Sequence, residues 1–73
     1  MPRTLTEAHE ALMRLRPKND APLTAWRKYR ELGAKVYAEV ADIDRHHFHE
    51  AMSWAASERE AAEKLRHEIA ASH

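Results

Sequence analysis

The sequence predicts an all-α fold, a small bundle of three unequal helices, and three observations predict it. Apolar residues recur every three or four positions through most of the chain, the spacing that lines one face of a helix. Breakers are confined to Pro17–Pro22 and, more weakly, Asp42–Asp44, which cut the chain into a short, a medium and a long segment. One glycine in 73 residues leaves few tight turns and no phosphate-cradling loop. Residues 1–73 are expected to form one helical domain, because typical domains run to about 100–150 residues.

The first helix is expected over Leu5–Arg16. Thr4-Leu5-Thr6-Glu7 has capping-box spacing, Leu5, Ala8, Leu12 and Leu15 form its apolar stripe, and Arg14 and Arg16 suit its negative end. Pro17 disfavours helix at the residue before it. At about eleven residues such a helix is marginal alone and exists only if it docks. The second is expected over Leu23–Ala41, with Asp20 or Thr24 as cap and Pro22 tolerated in the first turn. Ala25, Trp26, Tyr29, Leu32, Gly33, Val36, Tyr37, Val40 and Ile43 crowd one side, opposite Arg27, Lys28, Glu31, Lys35, Glu39 and Asp42. Gly33 stands mid-face, where it would let a neighbouring helix approach closely; on the solvent side it would only cost helix stability, roughly 1 kcal/mol against alanine.

The third helix is expected over Arg45–Ala70, with Asp44 as its cap. Phe48, Ala51, Met52, Trp54, Ala55, Ala61, Ala62, Leu65 and Ile69 spread over nearly half its circumference, and His47 and Glu58 intrude on that arc. At 1.5 Å per residue this helix would reach about 39 Å, against about 30 Å for the second and about 16 Å for the first. Leu65 and Ile69 would then lie beyond the cover of the other two. An oligomer, with a dimer favoured, or a protein partner is therefore expected to shield a surface containing Trp54, Glu58, Leu65 and Ile69. The predicted core is Leu12, Trp26, Tyr29, Val36, Val40, Phe48, Met52 and Ala55.

Chemistry is sparse. The absence of cysteine excludes disulfides, thiolate zinc sites and cysteine nucleophiles. The densest cluster is Arg45-His46-His47-Phe48-His49-Glu50, in which His46 with His49 or Glu50 at i,i+3 and i,i+4 would share a helical face and could hold a transition metal. A third ligand with supporting contacts is missing from the sequence, so solvated first-turn side chains are the simpler expectation. His47, on the apolar arc, is a candidate pH-sensitive group, against the plainer alternative of a half-buried histidine with one hydrogen bond. Glu58 could serve as a general acid, but a lone glutamate on a broad face more commonly meets an arginine, here Arg30, Arg59 or Arg66. Three short helices offer no obvious cleft of the ~300 Å³ that small-molecule sites need. No enzyme, cofactor or small-molecule substrate is predicted.

Twelve basic side chains balance twelve acidic ones, which argues against binding nucleic acid or anionic membrane through bulk charge. The balance is uneven along the chain. Residues 1–37 hold eight basic and four acidic side chains and residues 38–73 the reverse, a dipole that could steer self-association. DNA binding is the least favoured reading, because the exposed basic residues alternate with acids and the PKNDAP connection exceeds a helix-turn-helix turn. Pairs such as Glu10–Arg14, Glu31–Lys35 and Glu60–Lys64 are expected to lace the solvated faces. No apolar run approaches the ~18 residues of a membrane span and MPRTLTEAHE lacks a signal-peptide core, so a cytoplasmic protein is expected.

Alanine is abundant and arginine outnumbers lysine, eight to four. With that composition, the run Leu5-Thr6-Glu7-Ala8-His9-Glu10-Ala11-Leu12, Trp26, Val36-Tyr37 and the His-rich Asp44–Trp54 stretch resemble short uncharacterised helical proteins of high-GC bacteria. The resemblance spans most of the chain and, carrying no assigned activity, implies no functional residue. The function expected is a non-enzymatic protein–protein interaction module, self-associating or clasping a partner and regulatory in setting. The alternative is a histidine-based metal-binding or metal-responsive protein.

Overall fold

The computed structural model describes residues 1–72. It is an all-α three-helix bundle: α1 (Leu5–Leu15), α2 (Leu23–Ile43) and α3 (Phe48–Ala71), with one 3₁₀ turn, Arg45–His47, before α3. No strand occurs among the described residues, and none of the helices is long and apolar enough to cross a membrane.

Each boundary has a local cause. At the start of α1, Thr4 Oγ1 accepts from the Glu7 amide at 3.1 Å while Glu7 Oε1 reaches back to the Arg3 amide at 2.9 Å, a reciprocal cap one residue longer than expected. The helix stops at Leu15, one residue before the expected end, because Arg16 precedes a proline and is extended (φ −60°, ψ 127°). Neither Asp20 nor Thr24 caps α2. Pro22 takes that position without a side-chain bond, and the connection is fastened by Trp26 Nε1 donating to the Lys18 carbonyl at 3.1 Å. Helix α2 continues to Ile43, past the expected Ala41, and helix α3 begins at Phe48 rather than Arg45 and reaches Ala71. Asp44 (φ −93°, ψ 77°) breaks the helix, and its carbonyl accepts from the His47 amide to form the 3₁₀ turn.

Asp44 does not cap α3 with its side chain. Its Oδ2 accepts from the Leu5 amide at 3.0 Å and from His47 Nδ1 at 2.8 Å. The Leu5 amide is one of the donors a helix start leaves without an internal partner. Asp44 satisfies it from 39 positions away and anchors α1 to the α2–α3 corner.

Helices α2 and α3 form an antiparallel hairpin joined by small residues. Gly33, Ala34 and Ala41 on α2 and Ala51, Ala55 and Ala62 on α3 are all buried. Val40 is the one fully enclosed side chain larger than alanine among the described residues. The core therefore differs from the one expected. Leu12, Val40 and Ala55 are buried, whereas Tyr29, Val36 and Phe48 only flank the centre, Trp26 is half-buried and Met52 is 36% exposed. Leu5, Ala8, Tyr37, Ala41 and Ala51 take the central places. Close backbone approach leaves the seam no room for large side chains, which are pushed to its edges.

Gly33 is the helix-contact glycine expected. No residue has a positive φ, so conformational freedom is not its use, and a Cβ built there would stand 3.3 Å from Glu58 Cγ and Oε2. Hairpin register also revises the account of Leu65 and Ile69. The 21 residues of α2 and 24 of α3 are nearly equal in length, and the Arg66–Glu31 bridge at 2.8 Å brings the end of α3 alongside the start of α2. Leu65 and Ile69 are half-buried there and form no overhanging apolar end.

Two measurements test this account. Gly33→Leu should destabilise the fold by roughly 1–3 kcal/mol in chemical denaturation through overpacking; a more stable variant would mean that helix propensity outweighs the contact. The second is acid stability. The Leu5 amide, and after it His47, holds the Asp44 carboxyl below the ordinary aspartate range. The unfolded chain therefore takes up this proton first, and the contribution of Asp44 is complete above about pH 4 and lost as pH falls further. Urea unfolding at a series of pH values should show a shallower acid loss for Asp44→Asn than for the wild type; equal slopes would refute the anchoring role.

A candidate interaction cleft between α1 and α3

Helix α1 leans on α2 and barely touches α3. An open cleft of about 400 Å³ remains between them, with His9, Met13 and Arg16 of α1 on one lip, Trp54 and Glu58 of α3 on the other, and Tyr29, Arg30 and Tyr37 of α2 in the floor. The sequence had implied no cleft, since it says nothing of how far α1 and α3 stand apart.

At one end an aromatic cluster joins all three helices. A 2.6 Å hydrogen bond links His9 Nδ1 with the Tyr37 hydroxyl, Tyr37 stacks on Trp54 at 5.8 Å, and His9 meets the Trp54 ring edge-on at 5.0 Å. Tyr37 is 4% exposed. Burial, and after it the charge of Glu58, pushes its phenol up to about 12, so it stays protonated and donates to Nδ1 when the imidazole carries its hydrogen on Nε2. Midway, Arg30 Nη1 donates to both carboxylate oxygens of Glu58 at 3.1 and 3.2 Å. At the other end the Arg16 and Arg30 guanidiniums lie 5.0 and 5.5 Å from the Trp26 ring centroid, and the Tyr29 hydroxyl donates to the Leu12 carbonyl at 2.9 Å. The internal polar groups are thus paired, while Trp54 is 44% and Met13 74% exposed.

Of the residues the sequence singled out for an interaction surface, Trp54 and Glu58 meet here, and Leu65 and Ile69 lie elsewhere, against the start of α2. Glu58 finds Arg30, one of its three expected mates, while Arg66 binds Glu31 and Glu63 instead. None of the pairs Glu10–Arg14, Glu31–Lys35 and Glu60–Lys64 is among the ion pairs of the described residues. Glu31 turns to Arg66 across the hairpin, whose hydrogen bond keeps its carboxyl below the ordinary range. His47 is off the apolar arc: the 3₁₀ turn leaves it exposed, and it donates to the Asp44 carboxylate. His46, His49 and Glu50 are not gathered. The turn breaks the continuous helical face they would share, and no cluster of three His, Asp or Glu suited to a metal exists among the described residues. His49 and Glu50 instead line a shallow depression beyond Trp54 with Ser53 and Ser57.

His9, Met13, Arg16 and Tyr37 were not singled out as site residues. His9 could have been suspected from its place between Ala8 and Leu12, on the flank of the α1 stripe. No family model matches the chain, and no curated protein or solved structure matches it.

The buried phenol sets an alkaline limit on stability. The folded chain keeps the Tyr37 proton to about pH 12, whereas an unfolded tyrosine releases it near 10. The Tyr37 contribution is therefore complete below about pH 10 and falls as pH rises through that interval. Denaturant unfolding of the wild type should weaken there more steeply than that of Tyr37→Phe; parallel curves would contradict the burial of an uncharged phenol.

Proposed function

We propose that this chain is a small non-enzymatic helical interaction module that works as a homodimer in the cytoplasm. One observation carries the proposal: the single chain leaves too much surface open. Its accessible area is 5249 Å², whereas size scaling gives about 4,650 Å² for a compact chain of 8.5 kDa. The difference, about 600 Å², approaches the ~800 Å² that each partner buries in a typical stable complex.

The thin core supports the same conclusion. Alanines and Val40 supply the fully enclosed side chains, and a domain of this size without disulfides ordinarily needs a further stabilising element. Association supplies one, because burying apolar surface against a second chain contributes about 25 cal/mol per Å². Zero formal charge places no net repulsion between copies. Partner choice and a regulatory setting follow from a surface that recognises another chain and from no chemistry of its own.

Sedimentation equilibrium over a concentration series tests the proposal. A mass approaching twice 8.5 kDa, with the helical circular-dichroism signal weakening on dilution, is the expected result. The mass of one chain at every concentration, with the helical signal intact, would overturn it.

A further inference from the structure

We infer that the cleft between α1 and α3 is where the second copy docks, burying Trp54 and Met13 of each chain; this rests on the homodimer proposal and adds to it which face mates. Three faces offer exposed apolar side chains or a hollow, and their chemistry separates them.

The hollow on the far side of the hairpin is rimmed by Glu31, Arg59, Glu63 and Arg66, with Ala34 and Ala62 at its base. Covering it would desolvate four charged side chains, of which Arg59 has no carboxylate partner among the described residues. The free edge of α2 carries Leu32 and Ile43, 38% and 40% exposed, but Lys28, Lys35 and Glu39 are interleaved with them. Those charges would have to be stripped of water for little apolar contact.

The cleft differs on each count. Its central charges, Arg30 and Glu58, are already bonded to each other, and Arg16 at the end is stacked on Trp26. Its lips carry Met13 and Trp54, a flexible thioether and a rigid indole, residue types that interface cores favour. Beside the hollow stands a ridge, since Trp54 separates the cleft from the depression lined by His49, Glu50, Ser53 and Ser57. A face holding both a hollow and a projection can mate with its own copy about a two-fold axis.

Shape gives the occupant. The backbone is a slab of 43 × 20 × 14 Å. With α1 and α3 as lips and α2 as floor, the cleft opens across the slab's width. A face of that breadth matches the ~800 Å² each partner of a stable dimer contributes. A second slab laid on it would bring the thin dimension up to that of an ordinary domain.

The test reads the face directly. Met13 projects into solvent, so Met13→Glu should leave the helical signal unchanged while weakening dimerisation by about tenfold or more in sedimentation, the loss expected when a buried methionine becomes a charge. Leu32→Glu, on the α2 edge, should leave the dimer intact. In Trp26→Phe, where Trp54 is the sole tryptophan, emission should move to shorter wavelength and acrylamide quenching should fall as concentration carries the chain into the dimer. A dimer that survives Met13→Glu but not Leu32→Glu would overturn the cleft and keep the homodimer. So would a Trp54 signal that stays constant while the mass doubles. A wild type that remains one chain at every concentration removes the homodimer, and the cleft assignment with it. If Trp26→Phe fails to fold, the two glutamate variants decide the matter alone.

Discussion

The contact of alanine and glycine between α2 and α3 is the constraint around which the rest of the molecule is arranged. Where Gly33 faces Glu58 there is no room for a Cβ without displacing a carboxylate already bonded to Arg30. Ala51, Ala55 and Ala62 keep the same closeness along α3. The helices gain close packing and give up core volume. Large apolar side chains are displaced to the flanks, which is why an apolar arc as broad as that of α3 buries so little of itself within one chain.

Helix α1 is attached by different means. Leu5, Ala8 and Leu12 are its buried side chains, and three polar ties complete the docking: Asp44 to the Leu5 amide, His9 to Tyr37, and Tyr29 to the Leu12 carbonyl. The ties lie at its first, second and third turns. Because two of them run to α2 and the third to the corner that follows it, α1 is held away from α3 and the cleft stays open. An open cleft and a poor core have one origin, namely small residues in the hairpin and a short helix tied along one side of it.

Charge is used internally in the same manner. The net positive first half and net negative second half lie side by side once the chain folds back at Asp44. Arg30–Glu58 and Arg66–Glu31 are both cross-hairpin bonds, though exposed pairs such as Arg66–Glu31 contribute little each, about 0–1 kcal/mol. Much of the dipole visible in the linear sequence is therefore met within one chain. The tendency to associate comes instead from apolar surface left uncovered.

The sequence by itself determined the helical class, the three segments and nearly all their ends, because periodicity, Pro17 and the Thr4 cap act over a few residues. Gly33 was legible for the same reason: a lone glycine amid an apolar face has few uses other than close contact. Tertiary structure decided what depends on partners distant in the chain. Asp44 looks like the cap of the helix that follows it, yet it caps α1, since the amide it serves lies 39 residues away. Leu65 and Ile69 look overhung when helix lengths are compared, yet an antiparallel register covers them. His9, Met13 and Arg16 read as the flank of an amphipathic helix, and only the distance between α1 and α3 makes them the lip of a cleft. Local propensity fixes where helices begin and stop, whereas the space between helices is set by which side chains meet across it.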